Sequence, residues 1–355
     1  MLTTVSYGDA VGNDVIALHS TFEKAGYKTG IFAENIGKRI PPGIARHISK
    51  MPNLKDDDII IYHLCTATDL NYNLSKYQTK IIVTYHNITP PRFFSGYMQS
   101  HWIACKEGIE GAKNLSDKAD YCLADSEFNK QDLEEMGYKC KIDVLPILIP
   151  FEDYRREPDK EIVRQYTDDS YTNILFTGRI APNKCHEDII AAFYQYHKHY
   201  NEKSRLILVG NYEGMGKYYE KLRSYTRQLN IEKEVVFTGH IRFDEILAYY
   251  HVADIFLCMS EHEGFCVPLV ESMFFNIPIV AYASSAIPDT LGGSGFLLKE
   301  KNPLETAGAI NYILENDEVK NAILERQQER LKDFDHDVIE KQFLCYLREF
   351  IGENK

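Results

Sequence analysis

The stretch TNILFTGRIAPNK, residues 172–184, sets the architecture. Asn173–Thr177 is a short, largely apolar run that stops at Gly178. A loop carrying Arg179 and Lys184 then leads into a helical pattern at 185–199. Short apolar runs of this kind are buried on both faces, as strands of a parallel sheet are. Outward from here the rhythm repeats. Strands are expected at Arg205–Val209, Glu234–Thr238, Asp254–Met259, Pro278–Tyr282 and Gly295–Leu298, with helices at 215–229, 243–251, 267–275 and 303–315. Strict alternation of strand and helix implies a parallel sheet with helices on both faces.

The first half follows the same rule less cleanly. Leu2–Tyr7 reads as a strand ending at Gly8-Asp9, and Asp14–Ala25 as an amphipathic helix with Val15, Leu18 and Phe22 on one face. Lys28–Ala33, Asp58–His63, Lys80–Tyr85 and Ile142–Leu145 are further strand candidates, and Ser126 caps a helix through Gln131–Met136. Glu152–Lys160 is charged and lacks apolar periodicity, which marks a linker region. The expected division is a Rossmann-like domain over 1–155, a linker over 156–171 and a second Rossmann-like domain over 172–335. A closing helical segment, 336–355, is expected to pack back on the first domain. Two such domains facing across a cleft place a ligand outside the carboxyl ends of their strands.

Composition narrows the function. The 355 residues carry 40 Lys+Arg and 52 Asp+Glu, a formal charge of −12, with 44% hydrophobic and 26% charged residues. Collagen-like, mucin-like and disordered chains are excluded. The acidic balance argues against a nucleic-acid partner, which needs clustered cations. The eight cysteines form no CxxC and are expected as reduced thiols packed in apolar segments. No secretory signal and no apolar run of about 18 residues is visible, so a cytoplasmic protein is expected.

Two stretches can carry chemistry. Arg179 and Lys184, five apart beyond a strand that stops at Gly178, suit a diphosphate, since Arg offers a planar fork and Lys a compact charge. Taken alone, the pair reads equally as two solvated loop cations. The second stretch is Met259-Ser-Glu-His-Glu263-Gly264-Phe265-Cys266-Val267-Pro268-Leu-Val-Glu271. Pro268 fits the first turn of a helix, and the amides before it face outward as an anion site. Glu263 and Glu271 would accept hydrogen bonds from vicinal hydroxyls of a sugar or ribose.

Glu263-x7-Glu271, with Arg179 and Lys184 upstream, resembles the retaining family-4 glycosyltransferases of the α/β GT-B fold. The Phe-Thr-Gly-His segment at 237–240 and Asp254 add to the likeness, which covers nearly all of 172–315. Tyr85-His86-Asn87-Ile-Thr-Pro-Pro91 and Ala124-Asp125-Ser126-Glu127 are similar to segments of bacterial O-antigen and capsule glycosyltransferases. The resemblance implies that Arg179 and Lys184 grip the donor diphosphate, Glu271 holds the ribose, and Glu263, beside the amides of Gly264 to Val267, contacts the sugar. It implies that His86 faces the transferred sugar and that Gly12 lies near the phosphate in the first strand-to-helix loop. Gly239, His240 and Ile241 sit where the base docks. The family often has Gly at the position of Cys266, whose thiol either trims the sugar pocket or points away. The first loop lacks the common double glycine.

The implied reaction moves a hexose from a GDP- or UDP-sugar to a glycan or lipid-diphosphate-linked acceptor in surface polysaccharide synthesis. It retains configuration by front-face attack, and needs neither metal nor cofactor. An epimerase or hydrolase of the same fold, or a non-catalytic scaffold subunit, stands as the alternative. Asp56-x-Asp58 and Asp335-x-Asp337 read as caps rather than metal ligands. Gly210–Lys217 misses P-loop spacing, and the absence of GxGxxG after the first strand argues against a dinucleotide oxidoreductase. Lys38, Arg39, Arg46, His47 and Lys50, with the aromatic stretch Arg92–Trp102, fit a peripheral contact with the inner membrane face. A solvated loop plus a core-facing helix is the simpler reading of them.

Overall fold

The computed structural model describes residues 1–6, 8–167 and 170–352. Tyr7 at the end of the first expected strand, 168–169 in the expected linker and 353–355 in the closing segment lie outside the described residues. The chain forms two compact units. One comprises Met1–Arg92, Ser100–Pro150 and Asp333–Lys355, the other Phe93–Gln99 and Phe151–Lys332.

The first unit holds seven strands: β1 Leu2–Val5, β2 Ile31–Ile36, β3 Ala45–His47, β4 Ile59–Leu64, β5 Lys80–Tyr85, β6 Tyr121–Ala124 and β7 Lys141–Val144. All pair in parallel in the order β3-β2-β1-β4-β5-β6-β7. Side chains alternate between the two faces. Ile81, Val83, Tyr85, Cys122 and Ala124 enter one apolar cluster with Leu70, Leu74 and Leu133. Their neighbours Ile82, Tyr121 and Leu123 enter another, with Leu18 and with Ile339, Phe343 and Leu347 of the helix His336–Ile351.

The second unit holds β8 Thr172–Thr177, β9 Ser204–Val209, β10 Val235–Gly239, β11 Ile255–Cys258, β12 Ile279–Tyr282 and β13 Phe296–Leu298. The order is β10-β9-β8-β11-β12-β13, again parallel. Strand order reverses between β1 and β4 in one unit and between β8 and β11 in the other. Ligands of open α/β sheets bind at such reversal points, beyond the carboxyl ends of the strands.

Several boundaries differ from expectation. The first helix runs Ala10–Lys24, four residues earlier than the apolar stripe suggests, because the Asp9 carboxylate caps it by accepting from the Gly12 amide at 3.2 Å. Gly12 therefore sits in the first helical turn rather than in a loop. A Cβ there would lie 2.2 Å from the Ser6 carbonyl oxygen, so only glycine allows the helix this close to the incoming chain. Strand β2 starts at Ile31 instead of Lys28, its register set by pairing with β1, Leu2 opposite Ala33. Strands β3 and β6 are additional. Four-residue β6 is buried throughout and too short to show a period.

The stretch expected as a linker is largely structured. Phe151–Tyr154 and Lys160–Thr167 are helical. The second is charged, and Tyr166 anchors it by packing edge-on against Tyr249, ring centroids 5.5 Å apart. The Asn173 side-chain amide donates to the Tyr166 and Val252 carbonyls, fastening this helix to the start of β8.

Candidate active site

The reversal point of the second unit brings together the loops after β8 and β11. Gly178 has φ +150°, and a Cβ on Gly210 would lie 2.0 Å from the Gly178 carbonyl oxygen, so two backbones touch where β8 ends. Beyond it Pro182–Lys184 makes one tight turn. Asn183, buried, ties this turn to the neighbouring loop. Its side-chain amide donates to the His262 carbonyl at 3.0 Å and its own carbonyl accepts from the Glu261 amide at 2.9 Å.

That tie sets Lys184 against Glu263, Nζ to Oε2 2.5 Å. The Lys184 side chain is 21% exposed and that of Glu263 is 7%. Burial pulls the Lys184 pKa down and the Glu263 charge more than offsets it, leaving the ammonium above its ordinary value. Ser285 Oγ accepts from the Glu263 amide at 2.8 Å and Thr290 Oγ1 donates to the Phe265 carbonyl at 2.5 Å, which hold the loop from below. Not every polar group at this edge finds a partner within the chain. Glu263 Oε1 is buried with no hydrogen-bond partner, and among the described residues exposed Arg179 forms no hydrogen bond or ion pair. Buried acceptors without a partner are rare in native proteins, and such an atom calls for an explanation.

Cys266 precedes the helix Val267–Phe274, has φ +70°, and gives that helix no side-chain cap. Its thiol lies within 4.8 Å of the Cys258 thiol at the end of β11, and both sulfurs lie within 4.8 Å of a Glu263 carboxylate oxygen. Glu271, in the second turn, accepts from Tyr154 Oη at 2.8 Å on Oε1 and from Tyr250 Oη at 2.5 Å on Oε2. Tyr250 Oη in turn contacts Thr177 Oγ1 at 2.5 Å. Burial raises the Glu271 pKa against the lowering effect of the two phenols. Each carboxylate oxygen has capacity for a second donor. Tyr154 and Tyr250 were not legible as site residues, since nothing in their local sequence pairs them with Glu271.

Gly239 ends β10 with φ +69°, facing the Tyr212 ring, which stacks on Tyr219 at 4.1 Å. His240 is exposed and Ile241 half-buried. Among the described residues no hydrogen bond joins them to the Lys184–Glu263 pair. Asp254 accepts from the Asn173 amide at 2.7 Å, a strand-start contact. Asp58 and Asp335 cap local turns through the amides of Lys55 and Asp337.

His86 belongs to the first unit, just beyond β5. Its Nδ1 meets Asp125 Oδ2 at 2.9 Å and its Nε2 meets His63 Nδ1 at 2.8 Å, the two rings lying nearly parallel. Asp14 Oδ2 stands 3.9 Å from His63 Nδ1 and its Oδ1 accepts from the Leu148 amide at 2.9 Å. All four side chains are at most 4% exposed. Burial lowers the His86 pKa but Asp125 more than restores it, while burial and His86 push His63 well down. Burial pushes Asp14 up to about 7. Both ring nitrogens of His86 are thus engaged, and the sugar contact expected of it finds no free ring nitrogen in this arrangement. Gly12 likewise has its amide already bonded to Asp9.

Residues 158–330 match the family described as Glycosyl transferases group 1. The D-inositol 3-phosphate glycosyltransferase of Acidothermus cellulolyticus is 28% identical over 148 residues, 40% of this chain and 33% of that protein. Sucrose-phosphate synthase from Thermosynechococcus elongatus superposes with a TM-score of 0.75 at 17% identity, over 99% of both chains. Anabaena Alr3699/HepE in complex with UDP and glucose gives 0.75 at 18% identity, over 98% of this chain and 99% of that one. The fold is α/β of the GT-B class. The chain spans from about a third to about half the length of the curated relatives it matches, 33% and 47% for two of them. Among the described residues no helix is long and apolar enough to cross a membrane.

Proposed function

We propose that this chain is a glycosyltransferase that moves a hexose from a nucleotide sugar. Arg179 and Lys184 take the diphosphate, Glu271 the ribose, and Glu263 the hydroxyls of the transferred sugar. The base lies against Gly239, His240 and Ile241, with Gly178 and the amides of Gly264, Phe265, Cys266 and Val267 beside the diphosphate. The observation that carries this reading is the unsatisfied edge of the second unit. A buried carboxylate oxygen without a donor and a guanidinium without an acceptor meet the hydroxyls and the anion of a nucleotide sugar. Similarity to group 1 glycosyl transferases and to a structure holding UDP and glucose supports the donor class.

Cleaving the sugar–phosphate bond leaves a diphosphate anion and an oxocarbenium-like sugar. Fixed cations and an uncapped helix start stabilise the anion without reorganising at the moment of reaction. Retention of configuration follows if the leaving phosphate takes the acceptor proton on the front face, which requires no carboxylate nucleophile and no metal. The acceptor is a glycan or a lipid-diphosphate-linked sugar of a surface polysaccharide. A peripheral contact with the inner membrane face belongs to the same proposal.

The test is a thermal-shift and calorimetric screen of UDP-, GDP- and ADP-sugars, followed by proton NMR of the product's anomeric centre. One nucleotide should raise the melting temperature by mass action, and the product should keep the donor's anomeric configuration. No stabilisation by any nucleotide sugar overturns the donor assignment, and an inverted product overturns the front-face step.

A further inference from the structure

We propose that Cys258, Cys266 and Glu263 form an inhibitory binding site for a thiophilic divalent cation, Zn²⁺ or Cd²⁺, in the wall beneath the Lys184–Glu263 pair. Two thiols and a carboxylate converge there, their donor atoms all within 4.8 Å of one another. Tetrahedral zinc with bonds of about 2.3 Å places its sulfur ligands about 3.8 Å apart, so small side-chain rotations complete the geometry. Thiolate pairs select zinc and its softer congeners over magnesium or calcium. The three groups are held on a rigid frame: Cys258 closes β11, and Cys266 opens the helix Val267–Phe274. Cys258 is fully buried, and Cys266 and Glu263 are each 7% exposed.

A further observation points to a ligand. Glu263 Oε1 is buried and lacks a partner, so one acceptor at the cluster is unsatisfied. Charge also balances with the cation in place. With both thiols protonated and Lys184 and Glu263 charged, the metal-free cluster sums to zero. Loaded, two thiolates and one carboxylate face one dication and the Lys184 ammonium, and the sum is again zero. Lys184 therefore neutralises the complex rather than merely repelling the metal, and the buried site gains no net charge. Binding must release two protons, so affinity rises steeply with pH until the thiols ionise unaided. The cation draws Glu263 away from Lys184 and from the sugar. Inhibition competitive with the nucleotide sugar follows, and this consequence alone rests on the donor reading.

The experiment titrates the full chain, reduced with a phosphine, with Cd²⁺ and follows the thiolate-to-metal absorption in the ultraviolet. Proton release is measured in parallel in a weakly buffered solution. The expected result is one cation per chain, two protons released, and an absorption band that survives in C122A/C140A and vanishes in C258A/C266G. Cys122 and Cys140, with sulfurs 3.5 Å apart in the first unit, are the rival thiol pair. Should the double variant fail to fold, C266G alone must reduce the band by half or more. A band that persists in C258A/C266G, or none in the wild type, overturns the proposal. Transfer at saturating Cd²⁺ with the band present and no loss of rate overturns its inhibitory role. Nucleotide sugars that fail to bind metal-free protein overturn the donor reading and leave the metal site standing.

Discussion

The carboxyl edges of the two sheets are built on one plan and finished in opposite ways. At the β1/β4 reversal, the buried histidines and carboxylates are engaged with one another: His86 sits between Asp125 and His63, and Asp14 is fixed by the Leu148 amide. At the β8/β11 reversal, Arg179 is exposed and Glu263 keeps one buried oxygen, both without a partner among the described residues. Backbone strain divides the same way. Around the second edge Cys185, Cys266 and Ser285 hold positive φ, a conformation that costs residues other than Gly and Asn. In the first unit the comparable residue is Asn87, whose short amide bonds Asn129 and tolerates it. An edge with contacts left unmade is prepared for a ligand, whereas an edge with its contacts closed has fixed its geometry in advance.

The largest effect that would break this contrast comes from the two cations. Arg179→Ala and Lys184→Ala should each reduce transfer by about 10²–10³-fold, the loss typical of one preorganised donor to a developing anion. Their stabilities should differ. Arg179 is exposed and has no partner among the described residues to lose, so its variant should melt with the wild type. Lys184→Ala leaves the Glu263 carboxylate buried and unpaired, costing about 2 kcal/mol once the partial exposure of Lys184 is allowed for. Calorimetry of both variants checks the split. Equal melting temperatures would mean that the pair is not a structural element, and full turnover in either variant would remove its cation from the reaction.

Next in size is Glu271→Ala. Hydrogen bonds to a charged group contribute about 1.5–3 kcal/mol, so nucleotide affinity should fall by about tenfold or more in titration calorimetry. Tyr250→Phe should give a smaller loss, because it removes one of the two phenols that orient the carboxylate without removing the carboxylate itself. Affinity unchanged in Glu271→Ala would leave the glutamate as nothing more than an anchor for Tyr154 and Tyr250.

The first edge is sharpened by pH. Asp14 has a pKa of about 7 in the fold against 3.8 in the free residue, because burial resists its charge. A group raised in the folded state favours folding most when protonated in both states, at low pH. That favourable contribution is lost progressively as pH climbs from about 4 to about 7, and the cost is constant above. Asp14→Asn keeps an acceptor for the Leu148 amide and removes the charge. The variant should therefore melt with the wild type at about pH 4 and above it at about pH 8. Equal melting at both pH values would mean that Asp14 carries no buried-charge cost.

The difference between the edges also explains what the sequence could show. In the second unit the expected strands and helices fall within about one residue of those observed, because each strand is an uninterrupted apolar run closed by Gly or a polar loop. Arg179, Lys184, Glu263 and Glu271 were legible because they lie in two contiguous stretches. In the first unit a cap at Asp9 moved a helix and short β6 gave no period; in the second unit the one poorly legible helix is Lys160–Thr167, which rests on a single buried Tyr166 that charge conceals. Tyr154 and Tyr250 on Glu271, and His63 and Asp14 around His86, come from segments distant in sequence. Such pairings have no local signal and emerge only when strand order is known.

The smallest effect concerns the strain at Cys266. Its φ of +70° is one that a Cβ resists by about 1 kcal/mol. Replacing it by Gly or by Ala deletes the same thiol and the same contact with Cys258, so the difference between the two variants isolates the backbone. Cys266→Gly should be more stable than Cys266→Ala by about 1 kcal/mol, after the greater unfolded-chain freedom of Gly has taken part of the gain. Denaturant midpoints read this directly, provided the slopes agree. An Ala variant at least as stable as the Gly variant would show that the loop relaxes around residue 266, and that the second edge stores no strain there to set it apart from the first.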